Sequence, residues 1–333
     1  MKQAIQKIVE GVDLTEKQTR SVFTGIMTGK ATPSQIGAFI TALRMKGETV
    51  EEITGAAKAM RQKAVKIRVP GTVLDTCGTG GSAKHTFNVS TTAAFVLAAC
   101  GVKVAKHGNR AASSKCGSAD VLEELGVKIT ASKRVMERCL KKIDIGFLFA
   151  PLYHGAMKHA LMPRREIGIR TVFNILGPLS NPAFANCQIL GVYDRRLTDT
   201  MARVLKKLGT KSAYIVCGDD GLDEVSIADR TKISRLKDGK IRSFLVSPES
   251  FGIKRRPLST IKGGTVKQNA KMVKDVLSGG KGPRRDIVLM NSSVALMAAG
   301  KVKSFKQGMR MAEEAIDSGR AMEKLEQLRR LAG

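Results

Sequence analysis

The 333-residue sequence has no tryptophan, and aromatic residues make up only 4% of it. Binding of single-stranded nucleic acid by base stacking requires exposed aromatic side chains, so this scarcity argues against it. Acidic residues are also few: 29 aspartates and glutamates stand against 57 lysines and arginines, a formal net charge of +28. The dense basic runs, among them KRVMERCLKK and KDGKIR, fall on expected helix faces and loops. We interpret them as solvated surface, with a polyanion partner or a hot or saline habitat as the alternative.

Cysteines are scarce and scattered. The six cysteines form no CxxC pair and have no histidine at a matching offset, so neither a zinc site nor a redox pair is predicted. The longest apolar run, TTAAFVLAACGVKVA, is shorter than the roughly 20 residues that a membrane span needs. The first residues form a polar helical pattern without the apolar segment of a signal peptide. We therefore expect a cytoplasmic protein with free thiols and no membrane partner.

An α/β fold is predicted by a change of pattern near Thr72. Before it, apolar residues recur at helical spacing, with helix starts at Thr15, Thr32 and Thr49. After it, short apolar runs alternate with helices, as in a mainly parallel sheet. The expected strands are TVLDT, VKVAK, IGFLFA, QILGVYD, AYIVCG and DIVLMN.

A helical insertion, HGAMKHALMPRREIG, and the loop FNILGPLSNP interrupt the α/β pattern. The insertion is expected to rejoin the N-terminal helices. This predicts a small all-helical domain, residues 1–69 with 155–183, beside a larger α/β domain, residues 70–154 with 184–333. A cleft between two such domains is a common ligand site.

The first candidate phosphate loop, GTGG, follows the strand TVLDT. Glycines in this position let backbone N–H groups approach an anion closely. Ser90 or Thr91 then falls at a helix N-terminus, where free amides favour a phosphate and a hydroxyl can bind a phosphate-bound magnesium ion. Alternatively, Ser90 serves only as the N-cap of that helix.

The second candidate loop begins with Lys106, His107, Asn109 and Arg110 at the end of VKVAK. Lys106 and Arg110 are expected to supply charge, and the side chains and amides that follow could line a second anion pocket: Ser113, Ser114, Lys115, Gly117 and Ser118. Two anion loops on neighbouring strands predict a substrate with two separated phosphate groups. His107 could act as a base, as a neutral hydrogen-bond donor or as a structural residue.

Asp223 and Glu224, in GDDGLDEVS, follow the strand AYIVCG. Two carboxylates together with substrate phosphates are the usual protein site for magnesium, and a polar turn is the alternative. Arg164 and Arg165 lie on the inserted helix. They could hold a substrate carboxylate or belong to the charged surface.

These segments together resemble the anthranilate phosphoribosyltransferase family. The resemblance rests on GTGG with TFNVST, KHGNRAASSKCGSADVLEELGV, MPRREIGIRTVFNILGPLSNP and GLDEVS, in this order and spacing, and it extends over essentially the whole chain. It implies a fold like that of the pyrimidine nucleoside phosphorylases and a homodimer formed through the helical domains. It also implies transfer of phosphoribose from phosphoribosyl pyrophosphate (PRPP) to the amine of anthranilate, with release of pyrophosphate, in tryptophan biosynthesis.

The resemblance also implies the site residues. PRPP would be bound by Gly78, Gly81, Ser82, Thr86, Asn88, Val89, Ser90, Thr91, Lys106, Ser114 and Ser118. Mg²⁺ would be bound by Ser90, Asp223 and Glu224. Anthranilate would contact Gly78, His107, Asn109 and Arg164. Alignment of the transition state would fall to Lys106, His107, Asn109 and Arg164, without an acid–base pair.

The chain departs from the family pattern at two positions. Ser82 stands where the family usually has an aspartate, which puts PRPP and metal use in question there, and Gly155 replaces a proline that often follows the histidine. Two other functions stay open at this stage. One is a basic, nucleic-acid-binding relative with the same fold, which the intact phosphate loops disfavour; the other is a phosphoribosyltransferase with a different acceptor.

Overall fold

The computed structural model describes residues 1–80, 84–111 and 115–333. Its strands are β1 Val73–Gly78, β2 Lys103–Gly108, β3 Ile145–Phe149, β4 Cys187–Gly191, β5 Ser212–Gly218, β6 Thr231–Lys237 and β7 Lys240–Val246. Its α-helices are α1 Lys2–Val9, α2 Glu16–Met27, α3 Pro33–Lys46, α4 Val50–Lys63, α5 Val89–Ala99, α6 Ser118–Glu124, α7 Lys133–Lys142, α8 Ala150–Tyr153, α9 Lys158–Ile167, α10 Phe173–Leu176, α11 Leu197–Lys207, α12 Val266–Leu277, α13 Pro283–Ala298, α14 Phe305–Asp317 and α15 Arg320–Ala332.

Helices α2, α3 and α4 begin where the sequence predicts. Thr15, Thr32 and Thr49 each accept a hydrogen bond from the backbone N–H three residues later, where a glutamine or glutamate side chain bonds back to the cap. This reciprocal capping satisfies amides that the first helical turn leaves free. Helix α3 packs against α1 and also against α9, so the inserted helix lies on the N-terminal helices.

The sheet has seven strands in the order β3-β2-β1-β4-β5-β6-β7. Strands β1 to β5 are mutually parallel, whereas β6 and β7 are antiparallel. The predicted fold class, a helical part with a mainly parallel α/β part, is confirmed. Because parallel strands end at the same edge, the residues after β1, β2, β4 and β5 meet there.

Two features of the fold differ from the sequence-based expectation. The segment DIVLMN is helical, in α13, and the prediction of a strand there is wrong. Every residue from 287 to 296 is buried, so the helix has no polar face to reveal its period, and a short apolar run of this kind resembles a buried strand. The second difference is the hairpin β6–β7, which the sequence analysis leaves unassigned.

Two apolar cores lie on the two sides of the molecule. One joins the N-terminal helices and residues 160–179 with α11 and residues of β4, β5 and β6. The other joins α5, α6, α7 and α12 to α15 with residues of all seven strands. Phe244 of β7 is partly buried and packs against this second core. Among the described helices, none has both the length and the apolar character required to cross a membrane.

Candidate active site

The site forms at the edge where β1, β2, β4 and β5 end, and each of these strands ends in glycine. Two of the glycines allow the loop after β5 to lie across the strand ends. A Cβ atom at Gly191 would come within 1.7 Å of the carbonyl oxygen of Asp223, and one at Gly78 within 2.8 Å of its carboxylate. The absence of side chains at Gly78 and Gly191 therefore fixes where Asp223 sits.

Lys106 is the buried cation of this edge. Its Nζ donates to the carbonyl oxygen of Thr76 at 2.6 Å and to Ser90 Oγ at 3.3 Å. Thr76 Oγ1 in turn donates to the carbonyl oxygen of Ser90 at 3.1 Å, which ties α5 to β1. Burial lowers the pKa of Lys106, and the nearby carboxyl of Asp75 opposes that effect. A desolvated ammonium held in this way strongly favours an anionic ligand.

Asp223 and the neighbouring Glu224 form an acidic pair close to Lys106 and Ser90. Burial, reinforced by the charge of Asp223, raises the pKa of Glu224 to about 8, while Lys106 and the backbone N–H of Ser90 oppose the shift. The structure thus brings Ser90 and Lys106 together with this carboxylate pair. A simple polar turn, the alternative considered for Asp223 and Glu224, would not require these carboxylates to lie beside Lys106 and Ser90.

The two other acidic residues of GDDGLDEVS have structural partners. Asp219 accepts from Arg195 at 2.6 Å and pairs with Arg230 at 3.2 Å. Asp220 accepts from the backbone N–H of Leu222 at 2.9 Å and from the hydroxyl of Ser226. The acidic cluster therefore separates into a site pair and a turn-forming pair.

The first loop leads directly into α5, which begins at the buried Val89 after the N-cap Asn88. Ser90 and the buried Thr91 occupy the first turn, and Thr86 bridges to Lys262 in a distant loop. Asn88 Nδ2 reaches the carbonyl oxygen of Cys116 at 3.4 Å, so the first loop contacts the second. The predicted residues Gly81 and Ser82 lie outside the described residues, as do Ser113 and Ser114 of the second loop.

Asp120 organises the described part of the second loop. Its carboxylate accepts from the backbone N–H of Gly117 at 2.8 Å and of Ala111 at 2.9 Å, and it pairs with Arg110 at 3.1 Å. Arg110 also pairs with Glu123 at 2.8 Å. Two carboxylates thus pair with the guanidinium of Arg110, and the expectation that it supplies charge to the anion pocket stays a prediction.

The residues implied for the acceptor lie on two elements. His107 is buried at the end of β2, and Asn109 follows it in an exposed position. Arg164 is on α9 with its guanidinium 4.9 Å from the ring centre of Phe173, and burial lowers its pKa. Among the hydrogen bonds and ring contacts of the described residues, none joins Arg164 directly to His107 or Asn109.

His107 is held as a neutral ring. Its Nδ1 lies 3.2 Å from the carbonyl oxygen of Gly177, and its ring centre is 5.1 Å from that of His154. Burial, with a smaller contribution from His154, lowers the pKa of His107 to about 3. Nε2 of His107 has no hydrogen-bond partner among the described residues. A neutral imidazole with one free nitrogen can contact a substrate but cannot act as a strong base near neutral pH.

The sequence does not point to several residues that organise the site. Thr76 and Asp75 belong to β1 and contact the neighbouring strand β2: Thr76 O accepts from Lys106 Nζ, and Asp75 Oδ1 accepts from the backbone N–H of His107. The role of Asp120 could have been predicted from one feature of the sequence: an acidic residue three positions after Gly117 is typical of a capped helix start. The contact of Gly177 with His107 uses a backbone carbonyl and leaves no trace in the sequence.

Comparison with known proteins places this site in a family. Residues 2–64 match the helical bundle domain, and residues 70–322 the α/β domain, of a glycosyl transferase family. The chain is thus a member of a glycosyl transferase family that has a helical bundle beside an α/β domain.

Individual relatives narrow the class. An anthranilate phosphoribosyltransferase of Geotalea uraniireducens is 54% identical over 99% of both chains. The solved structure of anthranilate phosphoribosyltransferase from Thermus thermophilus has a TM-score of 0.93 and 40% identity, covering 99% of both chains. The chain belongs to the anthranilate phosphoribosyltransferase family.

Two structures of the Saccharomyces cerevisiae enzyme add ligands to the comparison. One, in complex with PRPP and Mg, has a TM-score of 0.91 and 30% identity, covering 99% of this chain and 97% of that chain. Another, in complex with 4-fluoroanthranilate, has a TM-score of 0.88 with the same identity and the same coverage of both chains.

Proposed function

We propose that this protein transfers the phosphoribosyl group of PRPP to the amine of anthranilate, giving N-(5-phosphoribosyl)anthranilate and pyrophosphate in tryptophan biosynthesis. The observation that carries the proposal is the convergence of Lys106 and Ser90 with Asp223 and Glu224 at the carboxyl edge of the sheet. Full-length similarity to anthranilate phosphoribosyltransferases supports the choice of reaction.

For PRPP, we propose the first turn of α5, Lys106 and the two polar loops. The described residues of this set are Gly78, Thr86, Asn88, Val89, Ser90, Thr91, Lys106 and Ser118. Free amides at the start of α5 and the ammonium of Lys106 supply positive potential for the diphosphate and 5′-phosphate groups. Ser118 opens α6, and its Oγ donates to the carbonyl oxygen of Asn109 at 3.3 Å.

For magnesium, we propose Ser90, Asp223 and Glu224. Two carboxylates and a hydroxyl are the hard oxygen donors that this ion prefers, and among the described residues no three His, Cys, Asp or Glu side chains are placed to hold a metal ion by themselves. That donor set suits an ion bound jointly by protein and substrate phosphates. When bound, magnesium would neutralise charge on the departing pyrophosphate.

For anthranilate, we propose Gly78, His107, Asn109 and Arg164. The guanidinium of Arg164 suits the planar carboxylate of the acceptor, and the neutral ring of His107 suits its aromatic amine. An aromatic amine is unprotonated near neutral pH, so the nucleophile needs alignment and no strong base. Lys106, His107, Asn109 and Arg164 would then act by holding amine and ribose in line.

We propose also that the domains have the boundaries expected from the sequence, 1–69 with 155–183 and 70–154 with 184–333, and that the protein is a cytoplasmic homodimer. Exposed apolar side chains support pairing through the helical part. Six of the exposed large hydrophobic residues lie there on or beside α1, α3 and α9: Val9, Val12, Met45, Leu161, Met162 and Ile169. Helix α3 contacts both other helices, so these side chains occupy neighbouring elements.

An acceptor panel tests this assignment. With PRPP and magnesium present, anthranilate should be consumed, whereas benzoate, which lacks the amine, should not react. Aniline, which lacks the carboxylate, should react with a kcat/KM lower by roughly 100-fold, because Arg164 has nothing to bind. Equal rates with anthranilate and aniline would contradict the assignment of Arg164 and favour a different acceptor.

A further inference from the structure

The segment of residues 177–180, between α10 and β4, has its backbone groups hydrogen-bonded one after another by side chains. Gly177 O lies 3.2 Å from His107 Nδ1, Pro178 O accepts from Gln188 Nε2 at 2.8 Å, and Leu179 O accepts from Arg61 Nε at 2.6 Å. The backbone of Ser180 hydrogen-bonds the ring of His154. Side chains from α4, β2, β4 and the turn after α8 therefore meet on four consecutive residues.

Arg61 is the member of this set that comes from the N-terminal helices. Its guanidinium also reaches the carbonyl oxygen of Leu208, after α11, at 3.4 Å, and lies 5.8 Å from the ring centre of Phe184. Among the ion pairs of the described residues none involves Arg61, and burial lowers its pKa to about 10. Burying an arginine without a carboxylate is costly, so the backbone contacts it makes must compensate.

The segment that Arg61 holds touches the acceptor half of the site at two places. Gly177, two residues before Leu179, orients His107 through Nδ1. Phe173, in the helix that runs into the segment, lies beneath the guanidinium of Arg164. A shift at Leu179 is therefore transmitted to residues on both sides of the proposed anthranilate position.

The PRPP half of the site is held by other contacts. Lys106 is bonded to Thr76 and Ser90, and Glu224 is bonded to the backbone of Ser90. These contacts link β1, β2, α5 and the loop after β5 without using the carbonyls of residues 177–180.

We propose that Arg61 is a positioning residue for the acceptor: by holding Leu179 O, it sets the Phe173–Ser180 segment and thereby the places of His107 and Arg164. This inference rests on the proposed function, because it takes those residues as the anthranilate site. It assigns to a residue of α4, outside both phosphate loops, control over acceptor binding alone.

The test compares Arg61→Met with Lys58→Met, a control in the same helix. Lys58 pairs with Glu16 at 2.5 Å, and among the hydrogen bonds and ion pairs of the described residues none joins it to residues 177–181, so its loss removes a cation and an ion pair. For Arg61→Met, we expect KM for anthranilate to rise about tenfold with KM for PRPP within about twofold of wild type. Lys58→Met should leave both constants unchanged. Arg61→Lys, which keeps one donor near Leu179 O, should raise KM for anthranilate less than Arg61→Met.

The possible results distinguish a failure of the role proposed for Arg61 from a failure of the proposed acceptor site. Unchanged KM for anthranilate in Arg61→Met, or equal rises for both substrates, would overturn the role of Arg61. If Arg61→Met does not fold, Arg61→Ala, which also lacks a donor for Leu179 O, takes its place, and an unchanged KM for anthranilate in that variant overturns the role. Arg164→Ala is measured in parallel, and a normal KM for anthranilate in that variant would contradict the proposed acceptor site whatever Arg61 does.

Discussion

At the scale of single residues, the site depends on polar groups whose charges are set by burial. Lys106 is surrounded by a carbonyl, a hydroxyl and the carboxyl of Glu224, so its ammonium is desolvated yet hydrogen-bonded. In a chain with a net charge of +28, most lysine and arginine side chains are exposed. A buried and fixed lysine binds a phosphate with less loss of side-chain entropy than an exposed one.

His154 gives a pH-dependent prediction. Burial lowers the pKa of His154 to about 4 from the ordinary 6.5. Between these two pH values the unfolded chain is protonated at this residue and the folded chain is not. Stability from this residue is therefore complete above about pH 6.5 and is lost as the pH falls towards 4. Replacing His154 by glutamine, which does not titrate, should reduce the loss of unfolding free energy between pH 7 and pH 4.5 by roughly 2 kcal/mol.

Urea unfolding of wild type and His154→Gln at the two pH values measures this effect. The comparison of differences cancels the titrating groups that do not interact with His154; His107, whose pKa His154 lowers slightly, is the neighbour that the substitution also affects. An equal loss of unfolding free energy in the two proteins would show that folding does not lower the pKa of His154.

The individual residues also show how far the sequence can predict a site. Ser90, Lys106 and the pair Asp223 and Glu224 are predictable because each follows or begins an element whose end faces the ligand edge. Arg110 is not, because its partners Asp120 and Glu123 are fixed only once α6 has formed beside the loop. The motif identifies which side chains are available, and packing decides which charges remain unpaired.

At the scale of elements, the strand-end glycines leave room for the loop that carries Asp223 and Glu224. A Gly191→Ala substitution would place Cβ 1.7 Å from the backbone of Asp223, and a backbone clash cannot be relieved by a side-chain rotation. We expect the loop to move, with kcat/KM for PRPP falling by about 100-fold and stability falling by about 1–3 kcal/mol.

Gly155→Ala is the matched control, because a Cβ at Gly155 meets no atom within 4 Å. Steady-state kinetics and thermal unfolding of both variants give the comparison. A Gly191→Ala enzyme with wild-type kinetics would show that the loop holding Asp223 does not need this close approach.

The elements that the sequence misassigns have a physical explanation. Helix α13 is surrounded by the core, so its apolar run lacks a helical period. The hairpin β6–β7 did carry a signal: Asp238 and Gly239 form its turn with positive φ angles of 50° and 72°. An Asp-Gly pair flanked by alternating apolar and polar residues is a strong hairpin signal. Here the flanking strands contain several basic residues, so the segment resembles a charged surface loop.

At the scale of the whole molecule, the inserted helix α9 brings Arg164 to the acceptor side while packing on α2 and α3. The same helix exposes Leu161 and Met162, so one element serves the proposed acceptor site and the proposed dimer surface. Self-association would cover apolar area that a monomer leaves in water, and it must overcome repulsion between two strongly basic subunits.

The dimer proposal predicts the effect of two charges on this surface. Met45→Glu combined with Leu161→Glu should convert a dimer into a monomer, because both side chains are largely exposed, by 84% and 59%, on helices in mutual contact. Size-exclusion chromatography with light scattering measures the mass. Leu245→Glu, an exposed position on the edge strand β7, is the control and should stay dimeric. A wild-type protein of monomer mass would refute the proposal.

The most direct measurement of the central claim is the stoichiometry of the reaction. Anthranilate and PRPP are incubated with the protein and magnesium, and anthranilate fluorescence and pyrophosphate are followed in the same sample. The account predicts one pyrophosphate released for each anthranilate consumed, with no loss of anthranilate when PRPP is omitted. Pyrophosphate release without consumption of anthranilate, or no change in either, would contradict the assignment of this chain as the enzyme that joins the two substrates.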